Sequence, residues 1–217
     1  MEVELIYNGI KVLFKVTNRN DHQQMKWMDG GFYEPDLLDD LYKRTRNMKH
    51  TFYDIGACFG NHSMFAEIVC GAGVVAFEPN AYSRKIFMEN RELNHCWMPI
   101  SPLVLSYDYS AYSTRHVPSN NVGMARFNRN ESGPYGSAPL DSTSHATFRP
   151  PTILKIDVEG MEMDVLRGAK ETIRKNHPII YVEIEGDTKE CDDFLGQFGY
   201  ERKAVFNATP TYLYISQ

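Results

Sequence analysis

Residues 51–80 read TFYDIGACFGNHSMFAEIVCGAGVVAFEPN, and this stretch decides the fold. Thr51 to Ile55 is a short β-prone run carrying Asp54, and Gly56 to Gly60 is a glycine-marked turn. Met64, Phe65, Ile68 and Val69 then repeat at helical spacing. Gly71 and Gly73 end that helix, and Val74 to Phe77 form a second buried strand that finishes on Glu78 and stops at Pro79. Nucleotide-binding sheets hold ribose with such a unit, because an acid ending the second strand accepts bonds from both sugar hydroxyls.

Upstream, Val3 to Tyr7 and Ile10 to Val16 alternate around Asn8-Gly9, which predicts a peripheral N-terminal hairpin. Asn18 to Asp36 is polar with scattered aromatics, and Asp36 is expected to cap a helix through Leu37, Leu38, Leu41 and Tyr42. Its end carries Lys43, Arg44 and Arg46, which complement the helix dipole.

Downstream, Tyr82 to Leu93 has helical spacing, and Met98 to Leu105 reads as a third strand made irregular by Pro99 and Pro102. From Ser106 to Pro151 periodicity fails over a length unusual for a connection, which predicts a substrate-covering insertion with short strands around Val122 to Phe127. Regularity returns with the buried strand Thr152 to Val158, carrying Asp157 at its end, and a helix from Met161 to Asn176. His177-Pro178 breaks that helix. Ile179 to Ile184 is a fifth strand, Cys191 to Phe198 a short helix, and Tyr200 to Phe206 with Thr211 to Ser216 a closing β pair. The alternation predicts an α/β domain with a mostly parallel sheet covered on both faces, and ligands at the carboxyl ends of its strands.

The chain has 217 residues, 42% hydrophobic content and a net charge of -5, which fits one globular domain and does not point to nucleic acid as a partner. Within it, residues 1–50 hold the hairpin and first helix, 51–105 the cofactor-binding half, 106–151 the insertion, and 152–217 the catalytic strand and C-terminal half. Cys58, Cys70, Cys96 and Cys191 form no CxxC pair, so reduced thiols in a cytoplasmic setting are expected. No run approaches the ~20 apolar residues of a membrane helix, and the N-terminus carries no signal-peptide pattern.

The turn separates two nucleotide classes. Dinucleotide dehydrogenases use GxGxxG, whereas this chain has Asp54-x-Gly56-x-x-x-Gly60. An acid beside the turn repels a pyrophosphate but attracts the ammonium of an amino acid, directly or through water, which favours S-adenosylmethionine over NAD.

DIGACFGNHS, AFEPN, ILKIDVEGMEMDVLRGA and PIIYVEI, in this order and spacing, resemble the FkbM-type family of S-adenosylmethionine-dependent methyltransferases. The resemblance spans roughly Phe32 to Ile184. It implies a Rossmann-like class I methyltransferase fold, a seven-stranded sheet with an antiparallel last strand. It also implies O-methylation, often of sugars. Two departures stand out: Cys58 replaces the usual Asn, and the insertion matches only through Asn121-x-Gly123 and Leu140-Asp141-Ser142.

On this footing Asp54, Gly56, Ala57, Gly60 and Asn61 are expected at the methionine part of the cofactor, with backbone amides at the helix start facing its carboxylate. Glu78 is expected at the ribose, with Pro79, Asn80 and Ser106 near ribose and adenine. His62 is read as a packing residue. Methyl transfer to an alcohol requires removal of its proton, and Asp157 is the first choice of base, flanked by Lys155 and Glu159. Glu183 and Glu185 complete an acidic pocket that positions sugar hydroxyls or holds a divalent cation. His116 and His145 are alternative bases from the insertion, and Tyr135, with Tyr107, Tyr109 and Tyr112, offers faces for sugar stacking. The expected acceptor is a sugar or glycan, and the chain also fits as one domain of a longer glycan-modifying protein. A small natural product, a lipid-linked acceptor and a non-catalytic nucleotide-binding scaffold are the alternatives.

Overall fold

The computed structural model describes residues 1–114, 118–143 and 149–217. Glu2–Tyr7 (β1) and Ile10–Lys15 (β2) pair antiparallel around Asn8 and Gly9, whose φ angles of 48° and 81° are those a tight hairpin turn demands. The hairpin is not peripheral: Leu5, Val12 and Phe14 are buried in the core, and Asn90 and Asn94 bind its backbone at Lys15 and Leu13. Two helices follow, His22–Met28 (α1) and Pro35–Thr45 (α2). The first was not expected. The second starts one residue before Asp36, with Pro35 in its first turn and the left-handed Glu34 as the cap residue, so Asp36 lies inside the helix.

Thr51–Ile55 (β3) runs through the glycine turn into a short helix, Asn61–Met64 (α3), that widens into a π-turn over Phe65–Val69. Gly73–Phe77 (β4) and Ala81–Leu93 (α4) come next. The expected third strand is two pieces, Ile100–Ser101 (β5) and Val104–Leu105 (β6), and only β5 joins the main sheet. Pro102, which has no amide hydrogen for a ladder, lies between them.

The insertion contains Ala111–Thr114 (β7), Phe127–Arg129 (β8) and Tyr135–Ala138 (β9), which form with β6 a small sheet in the order β6-β9-β7-β8. Val122–Met124, expected near a strand, is a 3-10 turn. The chain returns through Ile153–Ile156 (β10), Glu162–Gly168 (α5) and Lys170–Asn176 (α6), one expected helix broken at Ala169. Ile179–Glu183 (β11), Lys189–Gly196 (α7), Tyr200–Phe206 (β12) and Thr211–Ser216 (β13) complete it.

The main sheet has seven strands in the order β12-β13-β11-β10-β3-β4-β5. β3, β4, β5, β10 and β11 are parallel, and β13 runs antiparallel to both of its neighbours. Parallel strands covered on both faces must be apolar on both, and the residues alternate accordingly. Phe52, Val74, Ile153 and Tyr181 face one core with the hairpin, α2 and Phe65, whereas Tyr53, Val75, Leu154 and Ile180 face a second core with Val165, Leu166 and Leu195. Among the described residues no helix is long and apolar enough to cross a membrane.

Candidate active site

A cleft open to solvent lies at the carboxyl ends of β3, β4, β10 and β11. The strand order reverses beside β3, where a parallel sheet leaves room for a ligand. Gly56, Glu78, Pro79, Asp157, Glu159, Glu183 and Glu185 all line the cleft.

The floor is set by a close approach. Gly56 has φ +84°, and a Cβ built there would sit 1.7 Å from the backbone oxygen of Asp157, so only glycine lets β3 turn against the end of β10. Gly60 has φ +88°, and a Cβ there would meet the Phe87 ring at 2.7 Å, so this glycine seats the turn on α4.

Glu78 is nearly enclosed. Its Oε2 accepts the Cys58 amide at 2.8 Å and its Oε1 accepts the Asn80 amide at 2.7 Å. Each oxygen therefore holds one backbone donor and keeps acceptor capacity toward the cleft. Burial pushes this carboxyl up to about 7 against the opposing pull of the two amides.

Across the cleft Asp157, Glu159 and Glu183 bring carboxylate oxygens within 4.8 Å of one another. Burial and then the charge of Asp157 push Glu183 up to about 9 and Glu159 up to about 7. Glu159 reaches the group although the strand ends at Ile156, because Glu159 and Gly160 turn the chain with φ of 55° and 102°. Lys155 lies beneath, buried, with Nζ 3.0 Å from Asp157 Oδ2 and 3.9 Å from Asp54 Oδ1. Burial opposes its charge, but Asp157, Asp54 and Glu34 outweigh that and hold the ammonium protonated. At the rim Arg126 lies 3.1 Å from Glu185 and 3.9 Å from Glu159, reaching from the insertion to the ends of the strands.

Several expected ligands stand elsewhere. Asp54 is fully buried under the cleft, accepting from Ser63 Oγ at 2.6 Å. The amides of Gly56 and Ala57 bond Phe77 O at 3.0 and 3.1 Å, that of Gly60 bonds Ala57 O, and that of Cys58 bonds Glu78. These four turn amides are already bonded within the protein, and the helix itself begins after them at Asn61. Asn61 is buried against Trp27 and Tyr33, and Asn80 caps α4 by accepting from the Tyr82 and Ser83 amides. Ser106 is fully buried beside the Tyr112 hydroxyl at 3.0 Å. Tyr135 packs edge-on against Phe127 in the small sheet, off the cleft wall. His116 and His145 lie outside the described residues.

Other wall residues were not named as site residues from the sequence. His22, Gln23 and Tyr33 come from the N-terminal segment, and Asn121, Gly123, Met124 and Phe127 from the insertion. The two segments are tied together, since Asp21 Oδ2 accepts the Val122 amide at 3.1 Å and the His22 amide donates to Asn120 O at 2.9 Å. The sequence signals for this wall were Asn121-x-Gly123, which the family resemblance picked out in the insertion, and Asp21, whose Oδ1 caps α1.

The fold has solved relatives. A methyltransferase FkbM from Methylobacillus flagellatus KT superposes with a TM-score of 0.58 at 18% identity, over 82% of this chain and 47% of that one. The present chain thus spans about half the length of that relative. A ribosomal protein L11 methylase from Lactobacillus delbrueckii subsp. bulgaricus gives 0.56 at 12% identity, over 85% of this chain and 78% of that one. A Pyrococcus abyssi tRNA (uracil-54, C5)-methyltransferase in complex with S-adenosyl-L-homocysteine gives 0.53 at 8% identity, over 99% of this chain and 44% of that one. No curated protein matches the chain. The methyltransferase FkbM domain matches residues 54–202, more than half of the sequence, and the chain belongs to that methyltransferase family.

Proposed function

We propose that the cleft binds S-adenosylmethionine and that the protein transfers its methyl group to a hydroxyl of a sugar or glycan. The observation that carries this reading is one cleft with a carboxylate for ribose, Glu78, at one end and the group Asp157, Glu159 and Glu183 at the other. The residues present fit the cofactor. Glu78 retains acceptor capacity for two hydroxyls, and Phe77, Leu103 and Leu105 give an apolar wall for a flat base.

When bound, the cofactor supplies a methyl group activated by a sulfonium. The protein's part is alignment and proton removal. Asp157 accepts the hydroxyl proton, and the neighbouring Glu159 and Glu183, pushed toward their protonated forms by burial and by the Asp157 charge, stand beside it with carboxylate oxygens within 4.8 Å. Lys155 fixes the Asp157 side chain through its 3.0 Å contact.

The test is incubation with S-adenosylmethionine and a panel of free, nucleotide-linked and polymeric sugars, read by mass. A gain of one methyl group on a sugar is expected. Transfer only to lipid-linked or small natural-product acceptors would contradict the sugar assignment. Loss of transfer with a chelator, restored by magnesium, would favour a second reading in which the three clustered carboxylates hold a divalent cation.

A further inference from the structure

Tyr33 lines the cleft and takes no part in the roles assigned so far, yet the chain fixes it with unusual care. One buried side chain clamps both sides of its peptide: Asn61 Oδ1 accepts the Tyr33 amide at 3.1 Å, and Asn61 Nδ2 donates to Tyr33 O at 2.9 Å. The same Oδ1 also accepts from Trp27 Nε1 at 3.1 Å. The next residue, Glu34, is held in the left-handed region at φ 56°, and its Oε2 lies 2.9 Å from His62 Nε2, both side chains buried. Burial pushes the Glu34 carboxyl up, but His62 and then Lys155 outweigh it and bring it below its ordinary value.

Asn61 and His62 are the first two residues of α3, directly after the glycine turn. Two polar side chains and a left-handed residue therefore tie Tyr33 to the turn that floors the cofactor end. The ring meets His22 edge-on at 5.7 Å. Tyr33 shares the lining of one cleft with Asp157, Glu159 and Glu183, and the charges of Glu34, Asp157, Glu183 and Lys155 act on its phenol.

We infer that Tyr33 positions the acceptor, its phenol donating a hydrogen bond to the reacting hydroxyl oxygen while that hydroxyl's proton points at Asp157. This rests on the methyl-transfer reading. An alcohol oxygen has one proton and two lone pairs. With the proton on Asp157 and one lone pair taken by Tyr33, the remaining pair is directed at the methyl carbon. In the transfer an oxygen–carbon bond forms and a sulfur–carbon bond breaks. The electron pair of the broken bond stays on sulfur, the hydroxyl proton goes to Asp157, and Tyr33 keeps its own proton. Burial, and then the negative charges of Glu34, Asp157 and Glu183, raise the phenol above its ordinary value, which suits a group that only donates.

The test compares Tyr33→Phe with the unsubstituted protein on the sugar panel, with S-adenosylhomocysteine titration and thermal melting alongside. Tyr33→Phe keeps the ring and removes only the hydroxyl. A fall in kcat/KM of about tenfold or more is expected, with cofactor-product affinity and melting temperature unchanged. Asn61→Ser, which shortens the clamp, is expected to lower kcat/KM when Tyr33 is present and to add little to Tyr33→Phe, because it acts through the same contact. Tyr33→Phe with kcat/KM within twofold of the unsubstituted protein would overturn the inference. So would a parallel loss of S-adenosylhomocysteine affinity, which would make Tyr33 a cofactor residue. Failure of the unsubstituted protein to methylate any sugar while still binding S-adenosylhomocysteine would overturn the acceptor reading, and this inference with it.

Discussion

The backbone of Gly56 faces the carbonyl of Asp157 so closely that a Cβ on Gly56 would stand 1.7 Å from that oxygen. The contact joins the turn after β3 to the residue that follows β10, and so fixes the cofactor floor relative to the proposed base. Gly56→Ala is expected to destabilise the protein by about 2 to 4 kcal/mol through clash and positive-φ strain together. Gly71→Ala, also at positive φ but with nothing within 4 Å, should cost only about 1 kcal/mol. Chemical denaturation of both variants measures the difference, and equal losses would contradict the close-approach account.

Glu78 bonds two amides and faces the cleft. Glu78→Gln keeps its size while removing the charge and one acceptor oxygen. It is expected to weaken S-adenosylhomocysteine binding about 10- to 100-fold, the worth of one or two hydrogen bonds to a charged group. Calorimetric titration reads this directly, and unchanged affinity would remove Glu78 from the ribose site.

Asp157→Asn is expected to leave S-adenosylhomocysteine affinity within a few-fold and to lower turnover about 10²-fold or more, the usual worth of general-base help. Near-normal turnover would move the base to Glu159 or Glu183.

Glu183 gives a pH signature in stability. Its carboxyl is raised in the folded state to about 9, above its unfolded value near 4.3. The folded protein then binds more protons than the unfolded chain between these values. Its contribution to stability is full below about pH 4 and is lost as pH rises toward 9. Glu183→Gln should therefore gain in melting temperature relative to the unsubstituted protein as pH goes from 5 to 9. A melting difference that does not change with pH would contradict the raised value.

The parts of the fold that could be read from the sequence were those with long apolar runs or strong turns. The bounds of β3, β12 and β13 agree with the structure, as does the hairpin at Asn8-Gly9. Helix α1 was missed because it buries only Gln24 and Trp27 among polar neighbours, too few residues for a periodic signal. The small sheet was read only as short strands around Val122 to Phe127, because its strands are two to four residues long. The insertion's tight packing also hides in single residues: a Cβ on Gly133 would meet Tyr112 O at 2.0 Å, and one on Gly168 would meet Ser106 O at 2.1 Å.

The site divides the same way. That Glu78, Asp157 and Glu183 line the cleft could be read from their places at strand ends, since a parallel sheet presents its carboxyl ends at one edge. Asn80 and Ser106 stand beside that edge in sequence, but their side chains are engaged in a helix cap and a buried hydroxyl pair. Tyr33 and His22 reach the cleft through tertiary clamps from Asn61 and the Asn120 carbonyl, and local sequence carries no trace of such long-range bonds.

The measurement that tests the central claim most directly is calorimetric titration of the protein with S-adenosylhomocysteine, with NADH as the comparison. Saturable one-to-one binding of S-adenosylhomocysteine, with none for NADH, is the predicted result. No binding of S-adenosylhomocysteine, or binding of NADH in its place, would contradict it.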